Sequence, residues 1–318
     1  MEIEFTFISI SVAILKLFMI MVAGFLLYYF KLIDDKFTDM LSLLLVRLVF
    51  PALIISKTVF HFSFAEYSYW WFLPLCGIIF SLGGMAMGGA VHRLMRLDAP
   101  VKEFMSSCGF QNCGYLPMNL ILFAFAGAVA DRLLVYMFLF TLGFNLIMWS
   151  LVPLFLSDRL KSGFHLKVFL NPPVVAIAFS LVWVSLFGKE SLPPIVADPL
   201  KQLGQAAFPL AMLTLGAYLS RYRAFHPERK LSLVACTVTK LVLFPLLVLG
   251  ILLMVPLSHD YMFFLFLQAA MPTAVSLVVI GSYTNADNKF LSSSIFYTHL
   301  VAIFSIPLWL AIFSFFTG

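Results

Sequence analysis

The sequence predicts an all-α integral membrane protein of ten transmembrane helices. They form two five-helix repeats of opposite orientation, with the fourth and ninth helices broken and crossed. Three observations predict this: the composition, a set of prolines recurring at a near-constant separation, and polar interruptions inside two apolar segments. Of 318 residues, 62% are hydrophobic and 11% charged, against roughly 25% charged in a soluble protein. Mean hydropathy is +1.02. Apolar runs of about 20 residues, the length that crosses a bilayer, recur from end to end.

Ten spans follow in order. Phe5–Phe30 is interrupted only by Lys16. Phe37–Phe60 carries RLVFPALIIS, with Arg47 and Pro51. Tyr67–Val91 holds SLGGMAMGGA, whose Gly84 and Gly88 predict close helix packing. Val101–Phe125 contains GFQNCGYLPMN (Gly109–Asn119), residues that loosen a helix in the middle of an apolar segment. Leu133–Leu156 ends in MWSLVPL. Asn171–Phe187 begins NPPVV, with Asn171 expected as cap and Pro172 as first helical residue. Val196–Ser220 carries QAAFPLAMLT, and Leu231–Pro256 holds Lys240. Tyr261–Tyr283 contains QAAMPTAVS, and Phe290–Phe316 contains His299 and FSIPLWL. The connections are short and leave no residues for a soluble catalytic or receptor domain.

MEIEF offers neither a basic region nor a small-residue cleavage site, so no removable signal peptide is expected. Cys76, Cys108, Cys113 and Cys236 all fall inside spans, and no CxxC occurs, so neither disulfide, metal nor cofactor chemistry is expected. There is no HExxH, GxSxG or Walker loop, and an enzyme is not expected. The net charge of +5 is not gathered on one basic face, as nucleic-acid binding requires.

The charge lies instead in alternate connections. Lys31, Lys36, Arg93, Arg96, Lys102, Arg159, Lys161, Lys167, Arg221, Arg223, Arg229, Lys230 and Lys289 share one side, thirteen in all. Lys57, Arg132, Lys189 and Lys201 make four on the other. Cytoplasmic loops are the basic ones, so both termini are expected outside.

Pro51 and Pro209, Pro117 and Pro272, and Pro153 and Pro307 are separated by 158, 155 and 154 residues. Arg47 and Gln205 each stand four before the first pair. Residues 1–156 and 157–318 therefore read as two copies. Five spans per copy turn the second upside down, the architecture of secondary transporters.

Breaking a helix in hydrocarbon strands backbone groups at several kcal/mol each, so a break must be buried in protein or line a wet cavity. It also places a helix N-terminus, with free N–H groups and a positive dipole end, at mid-membrane, where it can bind an anion. Asn112, Gly114, Tyr115 and Pro117 supply such a site in the fourth span, and Gln268, Pro272, Thr273 and Ser276 repeat it in the ninth. The plainer alternative is a pair of proline kinks.

Lys16, Arg47 and Lys240 lie inside spans, whereas no Asp or Glu lies in the body of one. Interior cations call for an anionic partner. Two have a plainer reading: Lys16 snorkels outward, and Arg47 bonds to neighbouring carbonyls. Any Na⁺ or H⁺ coupling would rest on carbonyls, Asn145, His299, Ser or Thr, and His299 reads either as a titrating group or as a hydrogen-bonded packing residue.

LLVRLVFPALIIS, GFQNCGYLPMNLI, NPPVVAIA, QAAMPTAVSLVVIGSYTNAD and SIPLWL, in this order along essentially the whole chain, resemble the auxin efflux carrier family in its bacterial branch. That family is similar in fold to the bile acid:sodium symporters. The resemblance implies a scaffold of helices 1, 2, 6 and 7, a transport unit of helices 3–5 and 8–10, elevator-like movement and a homodimer through the scaffold. It implies an auxin-like, malate-like or malonate-like substrate bound around Asn112, Gly114, Pro117, Pro272 and Thr273. Arg47 and Ser276 depart from the family pattern, where Asn is expected, and Arg47 points to a more anionic cargo.

The expected function is a secondary transporter of a small organic anion in the bacterial inner membrane. The alternatives are a sodium-coupled symporter of a bulkier amphipathic anion and a membrane ligand sensor without translocation.

Overall fold

The computed structural model describes residues 7–157, 171–223, 229–284 and 286–317. Arg159, Lys161 and Lys167, counted above among the basic connections, lie outside the described residues. Among the described residues, twelve helices account for nearly all of the chain. They are α1 (Phe7–Tyr29), α2 (Asp35–His61), α3 (Phe72–Met95), α4 (Val101–Gly109), α5 (Tyr115–Ala124) and α6 (Gly127–Leu156). Then come α7 (Pro172–Phe187), α8 (Pro194–Arg221), α9 (Lys230–Leu252), α10 (His259–Ala269), α11 (Ser276–Thr284) and α12 (Asn288–Thr317). Among the described residues, seven of these helices are long and apolar enough to cross a membrane, and α5 and α7 are shorter apolar helices. The protein is an all-α membrane protein.

Prolines shape several helices in a common way. A proline ring clashes with the carbonyl four residues back and offers that carbonyl no N–H. In α2 a π-turn, Leu45–Val49, ends directly before Phe50-Pro51, and in α9 another, Thr239–Leu243, ends before Phe244-Pro245. The Phe50 and Phe244 amides reach back five residues, to Leu45 and Thr239, and the wider turn relieves the clash. The carbonyl orphaned by Pro245 is that of Leu241, and the Trp309 indole N–H of α12 donates to it at 2.6 Å. In α8 one residue, Ala206, interrupts the α-helical pattern three residues before Pro209. Pro153 and Pro307 leave α6 and α12 continuous.

Small residues let the backbones approach. A Cβ on Gly216 of α8 would stand 1.8 Å from the Met21 carbonyl oxygen of α1. Gly84 and Gly88 of α3 press on Cys108 of α4, so the packing read from SLGGMAMGGA is present. Asn171 stands at the cap position of α7, but its side chain makes no capping bond, contrary to expectation. Its Oδ1 is instead buried without a partner among the described residues, and Asn171 borders the cavity described below. Two packing groups emerge: α1 against α8 and α2 against α7 and α8, and separately α3 against α4 and α6.

Candidate functional site

The segments expected to be broken are broken. Helix α4 stops at Gly109 and α5 starts at Tyr115; α10 stops at Ala269 and α11 starts at Ser276. The two extended links meet. Gln111 and Thr273 form an antiparallel bridge, with Asn112 N–H donating to the Pro272 carbonyl at 2.7 Å and Ala274 N–H to the Phe110 carbonyl at 2.8 Å. Each link thus supplies the hydrogen bonds that unwinding removed from the other, as buried backbone requires.

This corrects one expectation. The amides of Asn112 and Ala274 are engaged with backbone, and those of Thr273 and Tyr115 with side chains: Thr273 N–H donates to Thr298 Oγ1 at 3.2 Å and Tyr115 N–H to Asn112 Oδ1 at 3.1 Å. Among the described residues, the N–H groups of Gly114, Val275 and Ser276 have no acceptor. These three residues, at the starts of α5 and α11, line one cavity of about 120 Å³.

Asn112, Tyr115, Asn145, Gln111 and Asn171 also line it, together with Phe50, Leu53 and Ile54 of α2. Asn112 is held on two sides. Besides accepting from Tyr115, it donates through Nδ2 to His299 Nε2 at 3.0 Å. His299 Nδ1 lies 2.8 Å from the Ile295 carbonyl, which can only accept, so the proton sits on Nδ1 and Nε2 is the acceptor. Tyr115 packs edge-on to Phe50 with centroids 5.4 Å apart, and its hydroxyl lies 3.3 Å from Ser42 Oγ.

Gln111 was absent from the expected site residues. It is fully buried, neither its Nε2 nor its Oε1 has a partner among the described residues, and it lines the cavity. A buried unsatisfied amide costs about 1–3 kcal/mol. The signal was in the quoted stretch itself, where Gln111 precedes Asn112 inside the break.

The family model described as "membrane transport protein" matches residues 9–165 and 159–310. The chain belongs to the auxin efflux carrier family. It is 26% identical over 161 residues to Protein PIN-LIKES 2 of Arabidopsis thaliana, a match covering 46% of this chain and 35% of that protein. It is 23% identical over 307 residues to an uncharacterized transporter of Methanothermobacter thermautotrophicus, covering 95% of this chain and 98% of that one. Membership makes the protein a membrane transporter and not an enzyme.

Within this transporter the remaining expected residues divide. Pro117 is the third residue of α5, and Pro272 and Thr273 lock the two links together, Thr273 Oγ1 donating to the Ser107 carbonyl at 2.9 Å; none of the three lines the cavity. Gln268 sits behind the crossing, Nε2 toward the Cys113 carbonyl at 3.5 Å. Lys240 is fully buried beside the Phe244 ring, its Nζ without a hydrogen-bond partner among the described residues. Arg47 is exposed on α2, in the π-turn, and neither it nor Lys240 borders the cavity. Lys16 lies 5.6 Å from the Phe123 ring centroid. Gln205 is exposed on α8 and lines a different cavity. Among the described residues no cation borders the cavity; its polar lining consists of amide and hydroxyl side chains and the two helix starts.

Proposed function

We propose that the protein is a secondary transporter of a small organic anion, a mono- or dicarboxylate of auxin-like or malate/malonate-like chemistry, working by elevator-type alternating access. The observation that carries this is the meeting of two helix starts and the unpartnered Gln111 amide at one cavity. Helix N-termini favour negative charge by up to about 1 kcal/mol each at exposed sites and more when buried. The volume of about 120 Å³ lies below the roughly 300–1,000 Å³ of pockets for drug-sized ligands, which favours a small cargo over a bulky amphipath.

In this reading the chain crosses the membrane ten times: by the seven long helices, by α7, and by the interrupted pairs α4/α5 and α10/α11. Residues 1–156 and 157–318 form the inverted halves. Helices α1, α2, α7 and α8 form the scaffold, and the others form the moving unit; the packing groups described above support this division. The cavity lies between them, with α2 on one side and the paired links on the other. Arg47, exposed beside Leu44 and Leu48, supports a scaffold dimer, because a guanidinium left facing lipid at mid-span costs about 2.5–3.5 kcal/mol or more. The thirteen-to-four loop asymmetry supports both termini outside, and the resemblance to the bacterial branch of the family supports a bacterial inner-membrane placement.

Counterflow of labelled malonate in proteoliposomes tests the site. Asn112→Ala and Pro272→Ala are expected to abolish flux while the protein still folds; undiminished flux in both removes the site. Flux that requires a Na⁺ gradient would favour the sodium-coupled symporter.

A further inference from the structure

A second cavity, of about 500 Å³, lies between α2, α5 and α8. Along α2 the first cavity takes Val46, Phe50 and Ile54, and the second takes Ser56, Lys57 and His61, so the two succeed each other from the Asp35 end of the helix to its His61 end. Leu53 borders both and is the partition between them. Gly204 of α8 backs that partition closely, since a Cβ there would stand 2.9 Å from Leu53 Cα. Phe50 lines the first cavity, and Phe208, 158 residues later and directly before Pro209, lines the second.

The second cavity differs from the first in charge. Two lysines, Lys57 and Lys201, line it with His61 and Gln205 beside them, and among the described residues no carboxylate is in the lining. What this cluster accepts is already visible at its edge. The Asp131 carboxylate of α6 is held by Lys57 Nζ at 2.5 Å and faces His61 Nε2 at 3.4 Å. Glu190 is also near His61. Lys201 has no carboxylate partner among the described residues; its Nζ rests over the Phe60 ring, 4.0 Å from the centroid. A concave site walled by low-dielectric protein and lined by one sign of charge concentrates the opposite ion. Its volume falls inside the roughly 300–1,000 Å³ range of ligand sites.

We propose that this cavity is a second carboxylate-binding station, at which an organic anion docks on Lys201, Lys57 and His61 on the far side of Leu53 from the paired links. The assignment rests on the organic-anion reading above and extends it. The station holds its anion by charge, whereas the first cavity holds it by amides and helix starts. Gln205, expected at the substrate site, then belongs to this station.

Lysine acylation reads the station directly. The full-length protein in nanodiscs is treated with an amine-reactive acetylating reagent, and modification of Lys201 is followed by peptide mass spectrometry. Malonate is expected to slow labelling of Lys201 several-fold relative to sodium chloride of equal ionic strength, and more than inorganic phosphate does. Lys57→Gln is expected to raise the malonate concentration needed for half-protection. Protection in Asn112→Ala protein, whose flux is expected to be lost, separates this station from the first cavity. Equal labelling in malonate and chloride overturns the proposal, as does protection by phosphate that equals or exceeds that by malonate. If malonate protects Lys201 but no carboxylate is carried by the wild type, the transport reading fails while the station stands.

Discussion

His299 accepts a hydrogen bond from Asn112: Nε2 of the ring lies 3.0 Å from the Asn112 Nδ2, while Nδ1 is committed to the Ile295 carbonyl at 2.8 Å. The ring thereby orients the amide that caps the start of α5 and lines the cavity. His299→Phe removes the acceptor and leaves Nδ2 unpaired in a buried place, a loss of about 1–3 kcal/mol. We expect a lower melting temperature in detergent and a raised KM for malonate. His299→Gln, whose Oε1 can accept, is expected to recover part of both. Equal behaviour of the two variants would show that the bond does not position Asn112.

The α1–α8 contact depends on bare backbone. Gly216→Ala puts a methyl group against the Met21 carbonyl, while Gly250→Ala in α9 meets nothing within 4 Å. Overpacking of this kind costs about 1–3 kcal/mol. Thermal unfolding should separate them, with Gly216→Ala clearly lowered and Gly250→Ala at or slightly above wild type, since alanine is the better helix former.

Asp287, in the connection before α12, couples stability to pH. Burial works to raise its pKa, but the hydrogen bonds from Arg229 and from the Phe290 and Lys289 amides, with the Arg229 charge, outweigh it and hold the carboxyl below its usual value. A depressed carboxylate contributes stability that is present above its unfolded pKa and lost as pH falls through the folded one. Melting temperatures measured from neutral pH down to pH 3 are expected to fall more steeply for wild type than for Asp287→Asn. Parallel curves would assign the carboxylate no such role.

The π-turn of α9 depends on Pro245 and is closed by Trp309. Trp309→Phe leaves the Leu241 carbonyl without its donor, and we expect destabilisation of about 1–3 kcal/mol. Adding Pro245→Ala restores an N–H to that carbonyl and should return part of the loss. Double-mutant melting curves measure this, and strict additivity would contradict it.

The sequence carried the helices because bilayer length and apolar runs are local properties. Span edges fell within about four residues, except where α6 extends back to Gly127 beyond the expected Leu133 and α3 begins at Phe72 rather than the expected Tyr67. The breaks at Gly109–Tyr115 and Ala269–Ser276 were legible because Gln, Asn, Gly and Pro in an apolar segment have few other uses. Their mutual hydrogen bonding was not, since an antiparallel bridge between residues 111 and 273 is a tertiary fact. For the same reason Asn112 looked free to hold cargo, although His299 and Tyr115 already engage it. Arg47 and Gln205 each stand four residues before a proline, but Arg47 does not border the first cavity and Gln205 lines the second. The π-turns before Pro51 and Pro245 left no mark that distinguishes them from an ordinary proline kink.

The central claim is that the paired links and Gln111 form the carboxylate site. It is tested most directly by the equilibrium affinity for malonate of wild type and Gln111→Leu, read beside their ligand-free melting temperatures. Leucine removes an unsatisfied buried amide, so the unliganded variant should melt at or above wild type while its affinity falls by about tenfold or more, the loss expected when a polar contact worth about 1.4 kcal/mol or more disappears. Unchanged affinity in a folded Gln111→Leu protein would contradict the account.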